Sequence, residues 1–316
     1  MKKFALVLLS ILSMFVLVSC SNKQKEYTVK VRMPLGAPTL GMVKMIHDID
    51  KLTDYTIEYD VVNGADLLVS AFTTKSHDFI IAPTNVGAKL YLKSSDYLYA
   101  ATLTMGNLYL ISSEEVTLDS LEGETIQAIG GGSTPEIILR KVIGERNINI
   151  EFVDASVINS GFIAGTYKHV LIAEPALSMV KTKKSITTII DLQLEYKEIT
   201  GIDHYPQAAL FVNKEFANKH REFVKNFIDE VKSSVEFVNN EQDIASEYYE
   251  EIATELNQNM PQTVIKNSIP GSNIRFVSAK DSKTLINTFF NIVLEFNREL
   301  IGNQLPDESF YWSDEE

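Results

Sequence analysis

Between residues 27 and 92 the hydrophobic pattern switches repeatedly between a period of two and a period near 3.6, and this alternation constrains the fold most. Tyr27, Val29, Val31 and Met33 alternate with polar residues, as a half-buried strand requires. A turn at 34–39 follows, and Leu40, Val43, Ile46 and Ile49 then keep helical spacing. Ile57, Tyr59 and Val61 mark a second strand, Asn63-Gly64-Ala65-Asp66 opens a second helix, and 78–82 is a buried third strand ending at Pro83. Another helix covers 85–92. The order β-α-β-α-β-α implies an α/β fold with a parallel sheet and right-handed crossovers. It then returns: strands over 124–129, 149–153 and 169–173, helices over 135–146 and 157–165, and a proline after the third strand at Pro175. The turn Leu35-Gly-Ala-Pro38 compares with Gly132-Ser-Thr-Pro135, and the exit Ile80-Ile-Ala-Pro83 with Leu171-Ile-Ala-Glu-Pro175. Identity between the copies is negligible, so the repeat is one of architecture.

Extended segments at 97–103 and 107–112, separated by Met105-Gly106, lie between the copies, and a further strand at 205–213 follows the second. Three amphipathic helices then close the chain, marked by Phe223 to Val235, Ile244 to Leu256 and Leu285 to Phe296. Their stripes have the ordinary core-facing spacing, which favours lobe core over a partner seam. The implied division is one lobe from 27–106 with 207–316, a second from 107–206, and two chain crossings at a hinge. At 316 residues the chain has room for two cores. Open sheets bind ligands at the carboxyl ends of their strands, so facing those ends across a cleft gives a clamshell.

The amino terminus reads as an export signal over residues 1–19: Lys2 and Lys3, an apolar run from Phe4 to Val18, and a small residue before Cys20. The run is short for a membrane span, which takes ~20 residues. Leu17-Val18-Ser19-Cys20 matches a bacterial lipobox, and Cys20 is the single cysteine, so the chain resembles a lipoprotein acylated there and anchored in the membrane. The alternative is a conventional cleaved signal with an incidental cysteine. Residues 20–26 are polar and patternless, a short tether. Without residues 1–19 the chain carries 27 basic against 42 acidic residues, a net charge of −15.

That charge excludes a general nucleic-acid binder, which needs a basic face. Excess acid is otherwise the solvated exterior of an exported protein. One cysteine excludes an intrachain disulfide. The five histidines form no His-x-x-x-His pair and no spaced metal cluster, and there is no Gly-x-Ser-x-Gly elbow, so no catalytic residue, metal or cofactor is expected. Gly130-Gly131-Gly132-Ser133 follows a strand and opens a helix, but it lacks the phosphate-loop lysine, and Pro135 breaks the dinucleotide pattern. The helix start there remains a candidate anion acceptor.

Several segments together resemble the solute-binding lipoproteins of bacterial ABC importers, and within them the branch of nitrate, sulfonate, taurine and thiamine-precursor binders. They are Met33-Pro-Leu-Gly-Ala-Pro-Thr-Leu40, Asp78-Phe-Ile-Ile-Ala-Pro-Thr-Asn85, Leu121-Glu-Gly-Glu-Thr-Ile126, the Gly130 to Pro135 turn, Ala173-Glu-Pro175, Pro206-Gln-Ala-Ala-Leu-Phe-Val-Asn213 and Leu305-Pro-Asp-Glu-Ser-Phe-Tyr311. Each motif is degenerate alone, but in order they cover nearly the whole mature chain. The resemblance implies a two-lobed, Venus-flytrap periplasmic-binding-protein fold. It also implies a monomer on the outer side of a bacterial membrane that captures a small polar solute and hands it to a permease driven by an ATPase. An enzyme on the same scaffold, using Glu174 with His204 or Tyr109, and a sensory or adhesive surface lipoprotein are the alternatives.

The strand exits nominate the site. Lobe one offers Gly36, Ala37, Thr39, Asn63, Gly64, Thr84 and Asn85; lobe two offers Gly132, Ser133, Thr134 and Glu174; Asn107, Tyr109 and Gln207 lie just past the crossings. Their amides, hydroxyls and free backbone donors suit a polar solute. Against each stands a local role, in a tight turn or a helix cap. Glu174 is suited to a ligand amine or ring N–H, and equally to the helix starting at Pro175. Arg275 is suited to clamping a carboxylate, or to pairing with surface acids. The two clues point to opposite ligand charges.

Overall fold

A computed structural model describes residues 27–48 and 55–314. The lipobox, Cys20, the tether and Ile49 lie outside the described residues. Two sheets organise the rest. The first runs in the order β11-β4-β10-β3-β1-β2, with β1 Tyr27–Pro34, β2 Tyr55–Val62, β3 Phe79–Pro83, β4 Tyr97–Met105, β10 Pro206–Asn213 and β11 Ile274–Ser278. The second runs β7-β6-β8-β5-β9, with β5 Leu108–Ser112, β6 Thr125–Ala128, β7 Asn149–Phe152, β8 His169–Ala173 and β9 Thr188–Asp191.

The three strands of each repeat are parallel, as the alternation requires: β1 pairs with β2 and β3, and β6 with β7 and β8. The crossings add what local pattern does not show. Leaving β4, the chain enters the second sheet as β5, antiparallel to β8; returning, it enters the first as β10, antiparallel to β3. Each sheet is therefore completed by a strand that arrives from the other sheet, and both sheets are mixed.

Lobe one buries Val29, Val31 and Met33 of β1 and the whole of β4 beneath its helices. In lobe two, Ile111, Phe162, Val170, Ile172 and Val180 pack together on one face of the sheet, while Leu110, Ile126, Ile138 and Leu171 belong to a large cluster that also contains the first sheet's core. Up to β8 the helices follow the sequence, with one exception. The single helix expected from Leu40 is two short ones, Ala37–Gly41 and Val43–His47, broken at Met42 and starting inside the expected turn; after β8 the helices differ. Beyond β8 come α-helix Ala176–Lys183, strand β9 and helix Leu192–Thr200, the last capped by Asp191, whose carboxylate accepts from the N–H groups of Gln193 and Leu194. The closing region holds five α-helices and strand β11, where three helices are expected from the stripes. Of the two overlooked helices, Lys214–Lys219 is too short to show a period, and Gln262–Ser272 contains Pro270 and Gly271 and has a weak apolar stripe, so its signal is buried under breaker residues. Tertiary packing supplies what propensity withholds: its Ile265 and Ile269 join Leu40, Val43, Val235 and Tyr249 in one cluster.

Candidate functional site

Both crossings are tied side by side. Asn107 N–H donates to Gln207 Oε1 at 3.2 Å, and Gln207 Nε2 donates back to Asn107 Oδ1. Gln193 adds a strap that the sequence does not announce. Its side-chain amide copies a strand neighbour, accepting from Leu108 N at 2.8 Å and donating to Leu108 O at 3.0 Å. Asn273, the residue before β11, donates to the Gly106 carbonyl at 3.0 Å. Gly106 has no room for a side chain, because a Cβ there would lie 2.2 Å from the buried Tyr205 ring.

Around these crossings the strand exits differ in what they offer. At the β1 exit, Thr39 is fully buried and its hydroxyl turns back onto the Pro34 carbonyl at 2.8 Å, while Ala37 is packed into the helical cluster. Gly36 has φ +127°, in the region that favours glycine. Asn63 and Gly64, at the β2 exit, are exposed on the sheet's outer edge, away from the buried set. At the β3 exit, Thr84 and Asn85 are both fully buried, and the Thr84 hydroxyl has no hydrogen-bond partner. Among the described residues the hydroxyls of Tyr59, Tyr196, Ser234 and Tyr249 share this condition, and among the five Thr84 is the one at a nominated strand exit.

In lobe two the glycine turn satisfies itself. Ser133 donates its hydroxyl to the Gly130 carbonyl at 2.7 Å, and Gly132 N–H donates to the Glu136 carboxylate at 2.7 Å. The sequence leaves this helix start open to an anion; the structure has the chain's own carboxylate on the Gly132 N–H. Thr134 and the Gly132 carbonyl both reach across to Asn85.

Glu174 is 6% exposed. Its two oxygens accept from the backbone N–H and the hydroxyl of Ser178, each at 2.9 Å, so the helix-start role is realised. Burial pushes its carboxyl above the ordinary range, opposed by the Ser178 bonds and by Lys181. A carboxylate accepts about four hydrogen bonds, so capacity remains for a donor. Facing it from lobe one is Gly271: a Cβ there would lie 3.1 Å from Glu174 Cγ and 3.0 Å from the Tyr109 hydroxyl oxygen. Tyr109 donates to the Gly271 carbonyl at 3.2 Å, and its phenol is pushed up by burial, then by the charges of Asp191 and Glu174. The missing side chain lets the Gln262–Ser272 helix close onto lobe two at this point.

Arg275 does not pair with surface acids among the described residues. Because β11 lies along β4 beside the hinge, the guanidinium donates instead to His204 Nε2 at 2.9 Å. Burial, then this cation, holds the His204 ring below its ordinary value. Among the described residues no hydrogen bond joins Glu174 to His204 or Tyr109, no three His, Cys, Asp or Glu gather as a metal site, and no helix is long and apolar enough to cross a membrane.

The family model described as NMT1/THI5 like matches residues 100–245, which span the second sheet and both crossings. No curated protein is a match to the chain by sequence. Among solved structures, an ABC transporter protein from Parabacteroides distasonis superposes with a TM-score of 0.74 at 20% identity, over 90% of this chain and 99% of that one. The alkanesulfonate-binding protein SsuA of Xanthomonas axonopodis pv. citri, solved bound to MOPS, gives 0.70 at 13% identity, covering 90% and 98%. The periplasmic nitrate-binding protein NrtA of Synechocystis PCC 6803 gives 0.62 at 10% identity, covering 85% and 81%. The chain thus carries an NMT1/THI5-like segment within the two-lobed fold of the periplasmic binding proteins.

Proposed function

We propose that this protein is the solute-binding component of an ABC import system, capturing a small polar solute between its lobes and delivering it to a permease and its ATPase. The observation that carries this reading is the contact of the β3 exit with the β6 exit through Asn85 and Thr134, beside the paired crossings, with Glu174 and Tyr109 facing Gly271. The similarity to structures named for sulfonate and nitrate binding supports it. The division we infer is 27–106 with 207–316 for lobe one and 107–206 for lobe two. Acylation of Cys20 would hold the monomer on the outer face of the membrane.

Within the cleft, Thr84, Tyr109 and Glu174 are the side chains we assign to the solute. Gly36, Ala37 and Gly132 would shape the walls, and Asn63 with Gly64 the outer edge. A buried carboxylate with spare acceptor capacity beside the Gly271 carbonyl suits a solute that presents an amine or ring N–H. Thermal-shift measurement on the chain from Ser21, against vitamins, pyrimidines, amino acids, sulfonates and polyamines, tests this. A ligand bound to the folded form alone raises Tm with concentration. A rise with donor-bearing solutes that Glu174→Gln abolishes is expected. Turnover of the bound molecule, lost in the same variant while binding persists, would instead make the protein an enzyme.

A further inference from the structure

One residue of the expected binding set does something else. Asn85 Nδ2 donates to the Leu300 carbonyl at 3.0 Å and to the Gly132 carbonyl at 3.2 Å, while its Oδ1 accepts from the Thr134 hydroxyl at 3.3 Å. An amide side chain has two donor hydrogens and two acceptor lone pairs, so three of four capacities are filled, all by protein. Leu300 belongs to lobe one, and Gly132 and Thr134 to lobe two. Asn85 therefore spans the interface with its own lobe as the fixed end.

The connection does not stop there. Thr134 is 3.5 Å from the Gln207 carbonyl, Gln207 is bonded to Asn107, and Asn107 closes onto Glu174 through two bonds: Nδ2 to the Glu174 carbonyl at 3.4 Å, and its own carbonyl from Glu174 N–H at 3.2 Å. The Thr134 hydroxyl has one proton, given to Asn85 Oδ1 at the shorter distance or to the Gln207 carbonyl, and from Gln207 a second run of bonds leads through Asn107 to the backbone of Glu174. Asn85 and Thr134 are fully buried, and Asn107 is 2% exposed.

We propose that Asn85 is a closure latch: it positions the lobes against each other through Gly132 and Thr134 rather than contacting the solute. Opening the cleft breaks both interlobe bonds and keeps the bond to Leu300, so the side chain stays in place for the next closure. The freed groups then bond to water, which makes each bond's net contribution small and the latch reversible. This goes beyond the solute-binding reading and needs no ligand for its test.

The chain from Ser21 contains every described element and no cysteine, so a pair introduced at the exposed Ser70 and Ser160, one on each lobe, carries two spin labels without background. Pulsed electron-resonance distances then report closure. The unaltered chain should show mainly the short distance, and Asn85→Ala and Thr134→Val should each raise the open-to-closed ratio about threefold to tenfold. The double variant should add little to the larger single effect, because both break the same contact. Thr134→Val keeps the side-chain shape and the Asn85–Leu300 bond, so it decides the matter if Asn85→Ala folds poorly. Unchanged distances in the variants, an unaltered chain already as open as they are, or multiplying effects in the double variant would overturn the latch. A chain that latches yet binds no solute would remove the proposed function and leave this inference intact.

Discussion

The third strands of the two lobes end alike and do different work. In lobe one β3 runs out through Pro83 to Asn85; in lobe two β8 runs out through Glu174 to Pro175, and a helix begins at each exit. Asn85 is neutral, and two of its three bonds reach outward to the Gly132–Thr134 turn, the third holding it to Leu300. Glu174 is acidic, and its carboxylate bonds stay on its own helix at Ser178. Equivalent places in a repeated architecture thus diverge by chemistry: an amide, with donors and acceptors both, joins two surfaces, whereas a carboxylate only accepts and keeps its spare acceptor sites for a donor.

The largest expected effect falls on the acidic exit. Glu174→Gln should weaken a donor-bearing solute by about tenfold to a hundredfold, as loss of a hydrogen bond to a charged group does. Calorimetric titration checks it, and unchanged affinity would reduce Glu174 to a helix-start residue. At the neutral exit, Asn85→Ala should lower unfolding stability by about 1–3 kcal/mol, because it strands the buried Leu300 carbonyl. A urea midpoint that falls with an unchanged slope would bear this out. Gly271→Ala should come next, costing the closed form about 1 kcal/mol, since its methyl must displace Tyr109 or Glu174 by a few tenths of an ångström. Solute affinity should fall, and because the latched chain is closed without solute, Tm of the empty protein should fall too, by about 2 °C.

A pH effect should be smaller. Burial raises the Glu174 carboxyl, so the folded chain binds this proton more tightly than the unfolded chain does. Its effect on stability is therefore most favourable at low pH. It declines as pH rises from the ordinary glutamate value of about 4.3 through the raised folded value. Glu174→Gln should accordingly show a Tm above its parent at pH 7, and the gap should close below about pH 4. A gap that widens toward acid would reverse the sign and argue that Ser178 and Lys181 outweigh burial. On the surface, Lys219→Ala breaks the exposed pair with Glu215 and should change stability by less than about 0.5 kcal/mol.

Local pattern made the repeated strands and helices legible because each needs only its own periodicity and a proline or glycine at its end. The Gln262–Ser272 helix was hidden for the converse reason: Pro270 and Gly271 weaken its propensity, and only packing on Leu40 and Tyr249 stabilises it. The residues of the candidate site were nominated by position, and position does not say which polar group is already satisfied. Thr39 and Ser133 bond to their own turns, and Asn85 and Thr134 to each other, whereas the Thr84 hydroxyl is left unpaired. Gln193 left no local sign, since its role lies in reaching the backbone of Leu108, far away in sequence.

The sequence by itself determined the α/β alternation and its repetition, because the period of apolar residues decides which element can bury a face. It also determined the acidic exterior and the place of the single cysteine. Only the tertiary structure decided that each sheet takes a strand from across the chain crossings, that Asn85 faces Thr134, and that Gly271 closes on Glu174 and Tyr109. These are contacts between residues about fifty to a hundred and sixty positions apart, fixed by hydrogen-bond geometry and close packing, which one-dimensional periodicity does not encode.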